Sequence, residues 1–359
     1  MKNQIIIAVF CLLLIILCFA GVYFFIQSEV KKPFSQDDKD VVFEVREGEG
    51  IKEIAKNLKD SSLIKNDFYF LIWILKEGKA KKILVGNYCL SPKMNVVEII
   101  EKFTKEGESI PSIVKLTFPE GWRISQMEER LQNKGLIDFG DILKFKIKEF
   151  KKETTFLDDA PEEASFEGYL FPDTYFFYCP SPEIVCKEGR GEILKCKKGD
   201  PRAIIEKFLA NFNEKLTSDL RNEIKKQKKK SIFEIITMAS LIEKEVRDFD
   251  DKRLVSGILW KRREHNIPLQ VDATITFLIG QKTTKISLED LQIDSPYNTY
   301  KYKGLPSGPI CNPGFQSILA ALYPKESDYW YYLSTTEGDT IFSKTLEEHN
   351  LAKAKYLPR

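Results

Sequence analysis

The residues best suited to chemistry close one apolar segment. Ile232, Ile235, Ala239, Ile242 and Val246 recur at helical spacing, and Ile236 and Met238 widen the stripe. Ser231 ahead of it and Glu234 three residues on form a capping-box pattern, so a helix is expected from Ile232 to Val246. Its last turn carries Glu243-Lys244-Glu245. Glu243 follows Ala239 by four residues and borders the buried stripe. Glu245 borders Leu241 and Ile242, and helical phase alone does not decide between the two. A carboxyl at such a border loses hydration, which lifts its pKa above the reference of about 4.3. An acid tuned in that way can protonate a leaving group near neutral pH. The competing reading of the segment in isolation is a charged helix surface. The only histidines, His265 and His349, lie in no nucleophile motif, so a Ser-His-Asp arrangement is not suggested.

Four other stretches mix polar, aromatic and turn-forming residues. Phe166-Glu167-Gly168-Tyr169-Leu170-Phe171-Pro172-Asp173-Thr174-Tyr175 offers aromatic faces of the kind that pack on sugar rings, although an aromatic core edge has the same composition. Pro268 to Thr274 alternates polar and apolar side chains, as a strand or site-lining segment would. Ser295-Pro296-Tyr297-Asn298-Thr299-Tyr300 leads into Gly304-Leu305-Pro306-Ser307-Gly308-Pro309-Ile310-Cys311-Asn312-Pro313-Gly314, which is barred from regular helix and reads as a long loop. Phe342-Ser343-Lys344 and Glu347-Glu348-His349-Asn350 close the region.

The elements that must hold these residues follow from the rest of the chain. Its 359 residues suit two or three domains, and 43% hydrophobic with 30% charged residues is ordinary globular composition. A formal net charge of +2 argues against a nucleic-acid binder. The run Lys225, Lys226, Lys228, Lys229, Lys230 reads as a solvated face. Residues 1–4 are a short flank. Ile5 to Ile26 is apolar and uncharged, long enough at about 1.5 Å per residue to span a bilayer core. No small-residue cleavage site follows it, so a retained transmembrane helix is expected. Leu17 is too large for the position ahead of a lipidated Cys18. Lys2 on one side and Lys31 and Lys32 on the other slightly disfavour an external C-terminus. Residues 27–40 read as a linker.

Residues 41–110 form a first small module, and part of it repeats. Glu47-Gly48 recurs as Glu120-Gly121, and the same offset pairs Phe43 with Leu116, Val45 with Phe118, Ile51 with Ile124, Ile54 with Met127, Leu58 with Leu131, and Leu63-Ile64 with Leu136-Ile137. Each copy reads as a short strand, a Glu-Gly turn and a helix. With a further helix and strand, the first copy resembles the LysM type of carbohydrate-binding module. A ligand-free α+β packing domain fits the same residues. The second copy, 114–142, is a half-repeat at the start of the region 111–359.

From about Val114 to Asn350 the motifs, in order, resemble the endolytic murein transglycosylases, the YceG-like family: Glu167 to Tyr175, Met238 to Glu245, Leu269 to Thr274, Ser295 to Tyr300, Gly304 to Gly314 and Phe342 to Asn350. The resemblance implies an α+β chain: a transmembrane helix, LysM-like material and a mixed catalytic domain over 111–359. It implies that Glu243, taken as the first Glu of Glu-Lys-Glu, is the catalytic acid and base, and that the catalytic part lies on the cell-wall side of the inner membrane. The substrate would be peptidoglycan glycan strands, cut between MurNAc and GlcNAc to leave 1,6-anhydro ends, with no metal or cofactor and with glycan-polymerising machinery as a partner. Tyr169, Gln270, Asp272, Tyr297, Asn298 and Asn312 are assigned to the cleft by their place in the motifs. One departure follows Tyr175: an insertion over about 179–199 holding Cys179, Cys186 and Cys196. A disulfide between two of them suits a compartment outside the cytoplasm, and the spacings do not match paired zinc knuckles. The rivals are a lysozyme-like hydrolase, pairing Glu243 with Glu167 or Asp272, and an inactive wall-binding scaffold.

Overall fold

The computed structural model describes residues 2–37, 39–110, 112–179, 182–187, 190–227, 230–280 and 286–357. Lys228 and Lys229 of the basic run, and Pro180, Ser181 and Gly189 of the insertion, lie outside them. The chain begins with α1 (Lys2–Val30), then β1 (Val41–Val45), α2 (Ile51–Asp60), α3 (Asp67–Lys76), β2 (Gly86–Leu90) and α4 (Val96–Thr104). Next come β3 (Ile113–Thr117), α5 (Ile124–Asn133), β4 (Thr174–Tyr178), β5 (Glu183–Lys187) and β6 (Arg190–Lys195). The remainder is mostly helical: α6 (Pro201–Lys215), α7 (Ser218–Lys226), α8 (Ile232–Glu245), α9 (Phe249–Glu264), α10 (Asp272–Ile279) and α11 (Phe315–Leu322). It ends in β7 (Tyr331–Ser334), β8 (Thr340–Ser343) and α12 (Leu346–Tyr356). Strands pair only in twos: β1–β2, β3–β4, β5–β6 and β7–β8 among the described residues. The architecture is mixed helix and strand.

Two compact units result: Met1–Val114 with Tyr178–Lys197, and Lys115–Phe177 with Lys198–Arg359. In the first, Phe10–Val30 of α1 is apolar and long enough to cross a membrane. β1 and β2 are antiparallel, Val41 facing Leu90 and Val45 facing Gly86, with α2 and α3 between them in sequence. Phe43, Val45, Ile54, Leu58, Phe70, Ile74, Tyr88 and Phe103 form its core. The Phe103 ring meets those of Phe43, Phe70 and Tyr88. Both copies of the repeat take the same local form. Gly48 and Gly121 turn the chain at φ +78° and +74°, a region that side chains resist. Ile54, Leu58, Met127 and Leu131 are all buried.

The inserted hairpin β5–β6 belongs to the first unit, and two disulfides hold it. Cys179 joins Cys196 across its base, and Cys186 joins Cys89 of β2, 97 residues earlier. The hairpin approaches β2 so closely that a Cβ on Gly191 would fall 1.9 Å from Ile110 Cδ1 and 3.0 Å from Cys89 Sγ. Opening Cys89–Cys186 by a double Cys→Ser change releases a long loop from the unfolded chain. It is expected to cost the first unit about 5 kcal/mol by the loop-entropy relation, read as a drop in its urea midpoint.

The second unit is built around α8. Nine of its residues are buried, Ile232 and the eight from Ile235 to Ile242. The Ser231–Glu234 capping box is present. The Asp159 carboxylate accepts from Ile232 N at 2.6 Å and Phe233 N at 3.3 Å, so an acidic group sits on the helix's positive end. α8 lies against α11 and α9. The loop Gly304–Gly314 is irregular, as expected. Gly168 runs beneath it at φ +93°, where a Cβ would fall 2.6 Å from Pro309 and 2.8 Å from Ile236.

Candidate active site

The end of α8 presents two carboxylates two residues apart. At about 100° per residue they leave the helix on different sides, and their surroundings differ. Three donors converge on Glu243 Oε2: Lys252 Nζ at 3.3 Å, Gly314 N at 3.1 Å, and Ser317 Oγ. The Glu243 and Lys252 side chains are 9% and 5% exposed, so this is a buried ion pair. Gly314 is the N-cap of α11, which adds a helix N-terminus to the same oxygen. Glu243 therefore ties α8 to α9 and α11. Glu120 lies beside it; partial burial and the Glu243 charge both raise the Glu120 pKa.

Glu245 meets a smaller and more permissive set. Its Oε2 accepts from Tyr332 OH at 3.0 Å, and the backbone of Ala273 donates to the carboxyl. Burial pushes its pKa up to about 7; the Tyr332 and Ala273 bonds oppose that rise, and the nearby Asp272 charge adds to it. Around it the polar groups are linked. Asp272, the exposed first residue of α10, accepts from Tyr300 OH. Gln270, exposed and left-handed at φ +54°, accepts from Arg262 Nη2 at 2.6 Å. The buried Arg262 lies among Tyr300, Tyr331 and Tyr332. The site is thus a desolvated acid with water-facing amide and carboxylate groups at its edge.

The cleft residues expected from the motifs divide. Gln270 and Asp272 belong to the Glu245 cluster. The stretch holding them is a left-handed turn into α10, in place of a strand, because Val271 and Thr274 are pinned to the Thr299 hydroxyl. Tyr297 is half-buried, its ring 4.9 Å from that of Phe277. Tyr169, Asn298 and Asn312 are all fully buried, and their contacts lie within the fold. Tyr169 packs among Phe156 and Phe212. Asn298 donates to the carbonyls of Leu291 and Ile293 and accepts from Tyr300 N and Lys301 N, fixing its own loop. Asn312 accepts from Gly168 N and Leu170 N, and donates to Trp122 O and to Glu167. Asn312→Ala leaves two buried N–H groups without acceptors and is expected to cost about 3 kcal/mol, measured by thermal denaturation. Glu167 is likewise held inside, accepting from Ile124 N, and burial raises its pKa to about 8. Arg262, Tyr300 and Tyr332 were not among the expected site residues. Tyr300 lay inside a recognised motif, whereas Tyr332 joins the site only through the β7–β8 hairpin.

A model of the YceG-like family matches residues 43–355. The endolytic murein transglycosylase of Bacillus subtilis strain 168 is 32% identical over 351 residues, covering 94% of this chain and 91% of the relative. That of Streptococcus pneumoniae strain R6 is 28% identical over 89% of this chain; the chain spans 59% of that relative's length. A crystal structure of a YceG-like protein from Listeria monocytogenes superposes with a TM-score of 0.57 at 32% identity, over 88% of this chain and all of the other. With the match running through both units, this chain belongs to the YceG-like family.

Proposed function

We propose that this chain is a membrane-anchored lytic transglycosylase that cuts peptidoglycan glycan strands internally, with Glu245 as its acid and base. The observation that carries the reading is the Glu245 carboxyl, bonded to Tyr332 OH, near the charge of the exposed Asp272, and pushed by burial up to about 7. The family relation supports the substrate class. Glu243, the residue first expected in this role, is held by three donors on one oxygen and fits an anchor better than a proton donor.

In the reaction, protonated Glu245 gives its proton to the oxygen between MurNAc C1 and GlcNAc. The C1–O bond breaks and GlcNAc leaves with a free 4-hydroxyl. Ionised Glu245 then takes the proton from the C6 hydroxyl of the same MurNAc, whose oxygen bonds to C1 and closes a 1,6-anhydro ring. One carboxyl suffices, because the nucleophile is tethered to the reacting sugar and no water is consumed. No cofactor enters. Internal cutting on the outer side of the cytoplasmic membrane would terminate nascent strands and place the enzyme beside glycan-polymerising machinery. The apolar α1 supports the anchor, and two disulfides support an oxidising compartment. The strand–helix–helix–strand order of β1, α2, α3 and β2 supports a LysM-like carbohydrate-binding role for the first unit.

The test is mass spectrometry of fragments released from purified peptidoglycan by the full-length chain in detergent. Internal fragments with 1,6-anhydro ends are expected. Reducing ends would establish the second reading, a hydrolase in which Asp272, close enough for its charge to act on Glu245, serves as the second carboxylate. Bound glycan without products would leave a scaffold. Because the protonated form acts first, kcat/KM is expected to be level below pH 7. Above about pH 7 it should fall roughly tenfold per unit as Glu245 ionises.

A further inference from the structure

Away from Glu245, the second unit carries a polar groove of about 570 Å³ between β3 and α5. We infer that this groove and the adjoining outer face of β3 and β4 form a second subsite, which grips peptide-bearing glycan away from the cutting point. The inference rests on the proposed action on peptidoglycan.

Strand alternation builds the face. Along β3, Val114 and Leu116 point into the core while Lys115 and Thr117 point out. Along β4, Tyr175 and Phe177 point in, and Phe176 stands 55% exposed. Thr117 and Thr174 share a hydroxyl hydrogen bond of 2.8 Å across the pair, and the Lys115 ammonium lies 5.9 Å from the Phe176 ring. The groove continues this face through Trp122, Gln126 and Arg130, and its charged lining is three cations, Lys115, Arg130 and Lys134, against one carboxylate, Glu129. Arg130 is pre-set: its guanidinium lies 4.2 Å from the Trp122 ring and donates to Thr117 O. A held cation loses less entropy when an anion binds.

The set has three chemistries. Aromatic surface from Phe176 and Trp122 suits the C–H faces of sugars, hydroxyl and amide groups of Thr117 and Gln126 suit sugar hydroxyls, and Lys115 and Arg130 suit carboxylates. A neutral polysaccharide needs only the first two. A glycan bearing acidic stem peptides uses all three, which is why the occupant is a peptide-substituted strand. The turn that carries Trp122 packs against the end of α8 and its neighbouring loop: the Trp122 carbonyl accepts from Asn312 N at 2.8 Å, and a Cβ on Gly121 would lie 3.4 Å from Glu243 Cγ.

The test measures binding of end-labelled, uncrosslinked glycan strands to the full-length chain in detergent, in a Glu245→Gln background so that cutting does not intervene. One sample keeps its stem peptides and the other is stripped of them by an amidase. Lys115→Gln with Arg130→Gln is expected to weaken the peptide-bearing strands about tenfold and to spare the stripped ones. Phe176→Ser, at an exposed position, is expected to weaken both about threefold. Unchanged binding of both strands by both variants overturns the subsite. Equal weakening of the two strands by the Lys115 and Arg130 pair overturns the carboxylate assignment. Cleavage by the otherwise unaltered chain is scored separately, so cutting with unchanged binding sinks the subsite alone, and no cutting sinks the proposed activity alone.

Discussion

Glu245→Gln is expected to lower kcat roughly 10³-fold while making the folded protein more stable. Glutamine keeps the shape and still accepts from Tyr332, but it has no proton to give. The stability effect has the opposite sign from a usual core lesion. The Glu245 carboxyl titrates near 7 in the folded chain against an ordinary 4.5. The folded state therefore binds its proton more tightly. That contribution is fully present below pH 4.5 and is lost as pH rises through 7. At pH 8 the wild-type chain buries a charge that glutamine lacks, so the variant is expected to gain about 3 kcal/mol there and little at pH 4. Urea midpoints at the two pH values measure this. Glu243→Gln, run beside it, strands Lys252 and is expected to lose stability while the folded fraction still cuts. A folded Glu243→Gln protein without activity, next to an active Glu245→Gln, would return the acid to Glu243.

Lys252→Met is expected to destabilise the second unit by about 3–5 kcal/mol, because it leaves the Glu243 charge buried without its cation. Ser317 and Gly314 N still donate, but neither carries a charge. The double variant Lys252→Met, Glu243→Gln removes both charges, and most of the loss should return. Equal melting of the single and double variants would mean that Lys252 acts through packing of its methylenes and not through the ion pair.

The parts of the fold written in local pattern were legible. The apolar run through Ile5–Ile26, the capped helix ending in Glu-Lys-Glu, the two Glu-Gly turns and the unhelical Gly304–Gly314 loop each follow from neighbours within a few residues. The site was legible in its segments but not in its grouping. Glu243 and Glu245 occupy the same helix turn, and what separates them comes from afar: Lys252 and Ser317 for one, Tyr332 for the other. Burial was no more legible than grouping. Tyr169 sits in a motif rich enough in aromatics to line a sugar cleft, yet its ring fills the core. Asn298 and Asn312 look like ligand-binding amides, but Asn298 bonds to backbone groups and Asn312 to backbone groups and the Glu167 carboxyl. The partner of Cys186 lies outside the insertion altogether, in β2.

The separation of Cys89 and Cys186 bears on the order in which the chain can be completed during synthesis. Residues 115–177 of the second unit are made before the hairpin that belongs to the first, and residues 198–359 after it. The first unit therefore stays open, with Cys89 a free thiol, until the ribosome has passed Cys186. The second waits longer still, since α8 and its two glutamates come after that point. Each unit is thus assembled from segments made on either side of the other's, so Cys89 can find its native partner only after the first segment of the second unit has been made.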